Sequence, residues 1–153
     1  MRKEKEKHGR PLGWLILVPV LAVLALLLNT LDPASRRSRL YFADASASRL
    51  TGETRRLPLV GPVEERARRV VEELLLGPAT YGLRKITKGD VRLRTLMHRD
   101  GRLHIALEVP DLSASGPSFQ LLKQSIEKSI ARSVGGSGPV DLYLNGRLME
   151  SAE

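Results

Sequence analysis

The sequence contains no cysteine. Disulfides, thiolate metal sites, cysteine nucleophiles and a lipid-modified N-terminal cysteine are therefore all excluded. Aromatic residues are scarce as well, at 4% of the 153 residues, which is too few for the base-stacking platform of a single-strand nucleic-acid-binding domain. Because no covalent cross-link is available, the stability of any folded domain has to come from an apolar core.

Acidic residues are in the minority. The chain carries 17 Asp and Glu against 25 Lys and Arg, which gives a formal net charge of +8 at pH 7. This balance favours anionic neighbours such as lipid head groups, cell-wall polymers or an acidic protein. Nucleic acid suits the charge but not the compartment inferred below, so we expect no nucleic-acid partner.

Charged residues are absent from 11–31. A helix rises about 1.5 Å per residue, so this stretch is just long enough to cross a hydrocarbon core roughly 30 Å thick. Trp14 lies near one end, where an indole suits the membrane interface, and Leu15 and Leu28 belong to the apolar body. We expect 11–31 to be a transmembrane anchor in contact with lipid. A cleaved signal peptide and a buried helix of a soluble protein are the alternatives.

Basic residues flank this stretch on both sides. Five precede it within 1–10, and four follow it within the range that affects orientation. The excess on the N-terminal side predicts a single-pass protein of the bacterial cytoplasmic membrane, with a cytoplasmic N-terminus and an extracytoplasmic C-terminal domain. The expected organisation is a basic tail (1–10), the anchor (11–31), a linker (32–38), one domain (39–148) and a short tail (149–153).

The domain shows separate strand and helix patterns. Strands are predicted at 39–43, 54–60 and 140–144, helices over 62–76 and 118–134, and a β-hairpin over 91–109. The inward helix positions are Val63, Ala67, Val70, Val71 and Leu74 in the first helix, and Phe119, Leu122, Ile126 and Ile130 in the second. The order β-β-α-β-β-α-β predicts an α+β two-layer sandwich, with both helices on one face of a single sheet.

The hairpin register depends on its turn. A two-residue turn at Asp100 and Gly101 places Met97 opposite His104 and mismatches the apolar positions of the two strands. A three-residue loop with Gly101 in a left-handed conformation pairs Met97 with Leu103, which aligns both faces. We therefore expect the three-residue loop. Pro58 has no N–H to donate to a neighbouring strand, so 54–60 is expected to be an edge strand.

The outer face of this hairpin is the candidate binding surface. Its arginines suit an anionic ligand, although a merely solvated basic face explains them equally well. The candidate binding residues are Arg92, Arg94, Arg99 and Arg102. His98 and His104 are expected there as diagonal neighbours, but two imidazoles without a third ligand do not predict a metal site.

Several stretches resemble the GerMN domain, the sporulation and spore germination family. They are 39–43 (Arg-Leu-Tyr-Phe-Ala), 54–59, the helix end at 73–78 (Glu-Leu-Leu-Leu-Gly-Pro), 91–98, the Asp-Gly turn at 100–101, 103–107 and 140–147. The resemblance covers about 38–148. It implies a non-enzymatic, envelope-tethered module, similar to the ring-building domains of secretion-type assemblies. Many members are lipoproteins, whereas this chain has an apolar segment and no cysteine to lipidate.

The expected function is therefore that of a protein-protein interaction or assembly module in the cell envelope. The partner is an envelope protein or further copies of the chain, in complexes of the sporulation or germination type. The alternative is a basic domain that binds anionic lipid or cell-wall polymer. No catalytic motif, cofactor or small-molecule substrate is predicted, so we do not expect an enzyme.

Overall fold

The structure is a computed structural model, which describes residues 17–24, 35–87, 89–110 and 117–149, with only the backbone described at 117 and 118. The chain divides into two compact units, Met1–Pro33 and Ala34–Glu153. In the first unit, 17–24 forms a helix, α1, with exposed side chains. The rest of the expected anchor, with Trp14, Leu15 and Leu28, lies outside the described residues. Among the described residues, no helix combines the length and apolar character that crossing a membrane requires.

The second unit contains seven strands and two helices in its described part. They are β1 (Ser35–Asp44), β2 (Leu50–Pro58), α2 (Val63–Leu76), β3 (Leu83–Arg84), β4 (Arg92–Arg99), β5 (Arg102–Glu108), α3 (Pro117–Ser133), β6 (Val140–Leu144) and β7 (Arg147–Leu148). The α+β class is confirmed.

The strands form two sheets, so the expectation of a single sheet is wrong. One sheet has the order β2-β1-β3 and the other the order β4-β5-β6-β7. The strand β5 runs parallel to β6 and the remaining neighbours are antiparallel. As expected, β2 is an edge strand.

Helix α3 explains why the sheets stay separate, because it occupies the open edge of β1. Ser125 Oγ donates a hydrogen bond to Tyr41 O (2.5 Å), and Tyr41 N–H donates to Ser129 Oγ (2.9 Å). Ser133 Oγ donates to Arg39 O at 3.4 Å. Ser125 and Ser129, one helical turn apart, both bond Tyr41, and Ser133, one turn further along α3, reaches Arg39, two residues away on β1. These strand groups are satisfied without another strand.

Helix α2 follows its predicted pattern. Pro62 is its N-cap residue, and Gly77 ends it with φ 100° and an N–H that donates to Leu74 O. The predicted apolar face of α2 is buried, with Val63 partly so. All four predicted inward residues of α3 are also buried.

The hairpin turn differs from the expectation. Asp100 (φ 53°) and Gly101 (φ 72°) form a two-residue turn, and Arg99 pairs with Arg102. Met97 therefore lies opposite His104, and the three-residue loop is wrong. Positive φ at both turn positions suits the right-handed twist of the flanking strands.

A β-bulge in β4 aligns the apolar residues that a regular strand with this turn would leave out of register. The register shifts between Leu93 and Thr95, so Arg94 is the extra residue on β4. Beyond the bulge the alternation is inverted: Leu96 is buried, whereas Thr95 and Met97 are exposed. The inner face of β4 thus changes from odd to even positions within one strand.

Strand pairing also extends beyond the expected boundaries. Residues 35–38 of the expected linker belong to β1 and pair with 55–58 of β2. The short strands β3 and β7 were not predicted; β3 follows α2, and β7 follows a turn at Asn145 and Gly146. Two-residue strands carry too few positions for an alternating pattern, so main-chain pairing alone defines them.

Candidate functional site: the outer face of the four-stranded sheet

Three of the four candidate arginines lie in ion pairs. Arg92 pairs with Asp90 (2.5 Å), and Arg99 Nε lies 3.5 Å from Asp100. The side chains of both pairs are exposed. Each arginine lies within two residues of its acidic partner in the sequence, so the two charges cancel locally.

Arg102 makes the best-defined of these pairs. Its Nε and Nη2 donate to the two carboxylate oxygens of Asp141, at 2.8 and 2.6 Å. The hydrogen bonds from Arg102, reinforced by its charge, hold the pKa of Asp141 below its usual value despite partial burial. Arg94 is the exposed bulge residue. The predicted arginine face is therefore largely neutralised by its own acids.

An apolar row crosses all four strands of this face. Cross-strand pairing aligns Thr95 with Ala106, Ala106 with Tyr143, and Tyr143 with Leu148. Leu148 is 52% exposed, and Met97, which lies two residues from Thr95 on the same face of β4, is 45% exposed. The term apolar row is used below for five residues: Thr95, Met97, Ala106, Tyr143 and Leu148. The sequence pattern missed it because the unexpected bulge decides that Thr95 and Met97 face outward.

A shallow pocket of about 420 Å³ opens beside the apolar row. Its lining consists of Thr95, Met97, Arg99, Asp100, His104, Ala106 and Tyr143. Its floor is mainly apolar and its charged groups stand at the rim. Such a pocket can take an apolar side chain with polar groups around it.

The two histidines of the hairpin lie on opposite faces of the sheet, so the expectation that they are neighbours on one face is wrong. His98 is half-buried, and its main-chain N–H donates to Glu64 Oε1 on α2 (2.7 Å). His104 lies on the outer face, with Nδ1 at 3.4 Å from Asp141 and its ring 6.2 Å from that of Tyr143. In the described part of the chain, no cluster of three metal-ligating side chains is present.

A second polar cluster holds β2 against the end of α2. Glu53 accepts hydrogen bonds from Arg55 Nε (2.6 Å) and from the N–H groups of Ala79 and Thr80. Arg55 also donates to Glu73 (2.7 Å) and to the carbonyl of Gly77, the residue that ends α2. Burial works to raise the pKa of Glu53, but these donors outweigh it and lower the pKa to about 2. A carboxylate held ionised by several donors stabilises the fold and is poorly suited to proton transfer.

Residues 39–150 match the profile of Germane, the sporulation and spore germination family. The chain belongs to this family. The resemblance inferred from 38–148 is thereby confirmed. No curated protein matches this GerMN-type chain.

Two solved structures resemble the GerMN-type domain. One contains the tandem GerMN domains of the sporulation protein GerM from Bacillus subtilis, with 20% identity, a TM-score of 0.60, and coverage of 75% of this chain and 41% of that one. The other is the first GerMN domain of the same protein, with 20% identity, a TM-score of 0.56, and coverage of 74% and 86%. The chain thus spans about two fifths of the tandem structure. The shared feature is the fold.

Proposed function

We propose that this GerMN-type chain is a non-enzymatic, membrane-anchored, extracytoplasmic protein-interaction module of the bacterial cell envelope. Residues 11–31 are its single-pass anchor, and 1–10 lie in the cytoplasm. The domain serves in assemblies of the sporulation or germination type.

The apolar row is the observation that supports this proposal best. Isolated exposed apolar side chains are ordinary, but neighbouring ones that form a pocket are typical of an interaction surface. Tyr143 supplies a large, rigid contact area, and Met97 can adapt its shape to a partner. The ion pair of Arg102 and Asp141 lies beside them as part of a polar rim.

The polar groups around the pocket favour binding over catalysis. Asp100, the acidic residue of the pocket lining, is paired with Arg99, and Asp141 beside the pocket is engaged by Arg102 and faces His104. A general base or nucleophile needs a free, suitably tuned group aimed at the substrate. The rim groups instead neutralise each other and leave an apolar centre.

A photo-crosslinking experiment in intact membranes tests this function. A photoreactive amino acid replaces Met97, and a matched one replaces Leu76, which is 77% exposed at the end of α2 and lies outside this sheet. We expect a discrete adduct from position 97 and none of comparable yield from position 76. The adduct mass distinguishes a second copy of the chain from another envelope protein.

A charged substitution shows whether the apolar row makes the contact. Leu148→Lys places a charge on the row without entering the core, and Leu76→Lys is its control. We expect Leu148→Lys to reduce the adduct at least tenfold and Leu76→Lys to leave it unchanged. Equal yields from positions 97 and 76, or insensitivity to Leu148→Lys, would contradict the proposal.

A further inference from the structure

A second charged surface lies on the outer face of β1 and β2 and on the adjoining side of α3. Its members are the exposed residues Arg37, Arg39, Arg56, Lys128 and Arg132, which we call the basic surface. None of the four predicted binding arginines belongs to it.

Cross-strand pairing concentrates charge at one end of this surface. Arg37 lies directly opposite Arg56, and Arg39 lies opposite Thr54. Like charges at directly opposed positions of an antiparallel pair destabilise the sheet. An anionic ligand that bridges the two guanidinium groups would convert this repulsion into attraction.

The side chain of Arg39 is held in a specific position. It lies across Gly52, where an added Cβ would collide with Arg39 Nε. Its guanidinium carbon lies 5.8 Å from the centroid of the Tyr41 ring, within cation–π range. A glycine and an aromatic ring together keep this arginine flat on the sheet.

Helix α3 extends the same surface. Successive helical residues are rotated by about 100° around the axis. Relative to Ser129, which bonds β1, buried Ile126 and Ile130 lie roughly 60° and 100° to one side. Arg132 and Lys128 lie roughly 60° and 100° to the other, the side of the outer face of β1.

Among the residues that the structure describes, no acidic side chain lies on this surface. Glu53 is on the inner face of β2, and Glu127 projects from the far side of α3, about 160° from Ser129. Within the described residues, no carboxylate forms an ion pair with any member of the basic surface. The predicted arginine face carries acidic residues that pair with its arginines, whereas the positive charge of the basic surface is not paired with described carboxylates.

The basic surface starts close in sequence to the proposed anchor. Only residues 32–34 separate 11–31 from the start of β1 at Ser35. A fully extended chain of that length keeps Ser35 within roughly 14 Å of the bilayer boundary if 11–31 spans the bilayer. The anionic groups nearest to Arg37 and Arg39 would then be lipid head groups.

We propose that the basic surface binds the head groups of anionic phospholipids in the membrane that holds the anchor. The inference rests on the proposed anchoring by 11–31. Guanidinium groups bind phosphate oxygens through paired N–H donors, and basic residues near a bilayer add their electrostatic attraction. Binding would hold the β1–β2 face toward the bilayer.

The absence of cysteine allows a direct test with the full-length protein in lipid nanodiscs. Thr54→Cys adds one attachment point for a fluorophore on the exposed outer face, beside Arg39 and Arg56. A quencher attached to lipid head groups reports how close position 54 comes to the membrane. We expect quenching to be several-fold stronger in nanodiscs that contain phosphatidylglycerol than in phosphatidylcholine alone, and to weaken with salt.

Matched triple variants separate this surface from general charge effects. Arg37→Gln, Arg39→Gln and Arg56→Gln together should abolish the dependence on phosphatidylglycerol. Arg92→Gln, Arg94→Gln and Arg99→Gln remove the same charge from the hairpin and should retain it. The charge-preserving set Arg37→Lys, Arg39→Lys and Arg56→Lys should keep most of the response, which controls for misfolding of the first set.

Other outcomes would overturn the inference. An equal loss in the two Gln sets would show unspecific charge attraction. Added teichoic acid is a competitor in the same assay. If it removes the phosphatidylglycerol-dependent quenching and binds the protein equally well in neutral nanodiscs, the surface binds a wall polymer instead. Failure to stay in nanodiscs would contradict the anchor itself. Stable insertion with no dependence on phosphatidylglycerol would contradict head-group binding alone.

Discussion

Among the described carboxylates, Glu53 is the one whose pKa folding lowers most. It is 7% exposed, yet Arg55 and two main-chain N–H groups stabilise its charge. The motif Glu-x-Arg on alternate strand positions is visible in the sequence. The role of this motif in the fold is not visible in the sequence, because the other hydrogen-bond donors to Glu53 come from the loop after α2.

Protonation of Glu53 should destabilise the domain in acid. Its pKa falls from 4.5 to about 2 in the folded state, so its contribution is complete above pH 4.5 and is lost as the pH drops toward 2. The shift corresponds to on the order of 3 kcal/mol. Urea unfolding of the full-length protein in mild detergent, from pH 7 to pH 2, measures this loss. Glu53→Gln should lower stability at pH 7 and flatten the acid dependence.

The exposed residue Glu72 on α2 provides the control. Glu72→Gln should leave both the neutral stability and the acid profile nearly unchanged. An acid profile for Glu53→Gln as steep as that of the unmodified protein would show that other carboxylates cause the loss.

Ser129 is a second residue whose side chain is expected to contribute strongly to the stability of the domain. Ser129→Ala leaves the N–H of Tyr41 without its partner at a buried contact, which should cost about 1–3 kcal/mol. Ser133→Ala, whose bond to Arg39 O is long and exposed, should cost less. Thermal unfolding of both variants gives the comparison, and equal shifts would contradict the role of Ser129 in covering the edge of β1.

At the scale of elements, the β4–β5 hairpin combines two irregularities that compensate each other. The two-residue turn sets a register that, continued without a break, would leave Leu93 and Leu107 out of line. The bulge at Arg94 brings these two residues opposite each other. A pattern that assumes strict alternation therefore favours the wrong loop. The irregular pattern around Arg94, with Leu93 and Leu96 both inward, is the signal that could have indicated a bulge.

The turn itself can be tested at Gly101. Gly101→Val should cost about 1–3 kcal/mol, because a β-branched residue is strained at φ 72°. Gly135→Val is the control, since an added Cβ there meets nothing within 4 Å and no positive φ is involved. Denaturant unfolding of the two variants measures the difference. A loss no greater for Gly101→Val than for Gly135→Val would mean that the turn relaxes without strain.

At the scale of the whole molecule, the basic surface and the apolar row lie on different sheets of the described part of the second unit. The outer face of the four-stranded sheet pairs most of its arginines and exposes the apolar row, whereas the basic surface is formed by the other sheet and α3. One surface suits a protein partner and the other an anionic bilayer. Such a division would let a membrane protein bind a partner while its position at the bilayer is held.

Membrane anchoring is the prediction that concerns the whole chain. The full-length protein should stay in the membrane fraction after carbonate and high-salt washing, because 11–31 has the length and apolarity of a spanning segment. Membrane fractionation followed by N-terminal sequencing checks this. Release of a shortened form that begins near Ala34 or Ser35 would identify a cleaved signal peptide instead.

The sequence by itself determined the α+β class, the inward faces of α2 and α3, the edge position of β2 and the family. The helix faces follow from local periodicity and from residues that end helices, such as Gly77, and the edge position of β2 was indicated by Pro58, which has no N–H to donate. None of these signals depends on distant neighbours. The inverted face of β4 was decided by its pairing with β5. The division into two sheets and the pairing of Arg102 with Asp141 were decided only by tertiary structure. Their causes join residues far apart in the chain: Ser129 reaches Tyr41, and Asp141 neutralises Arg102.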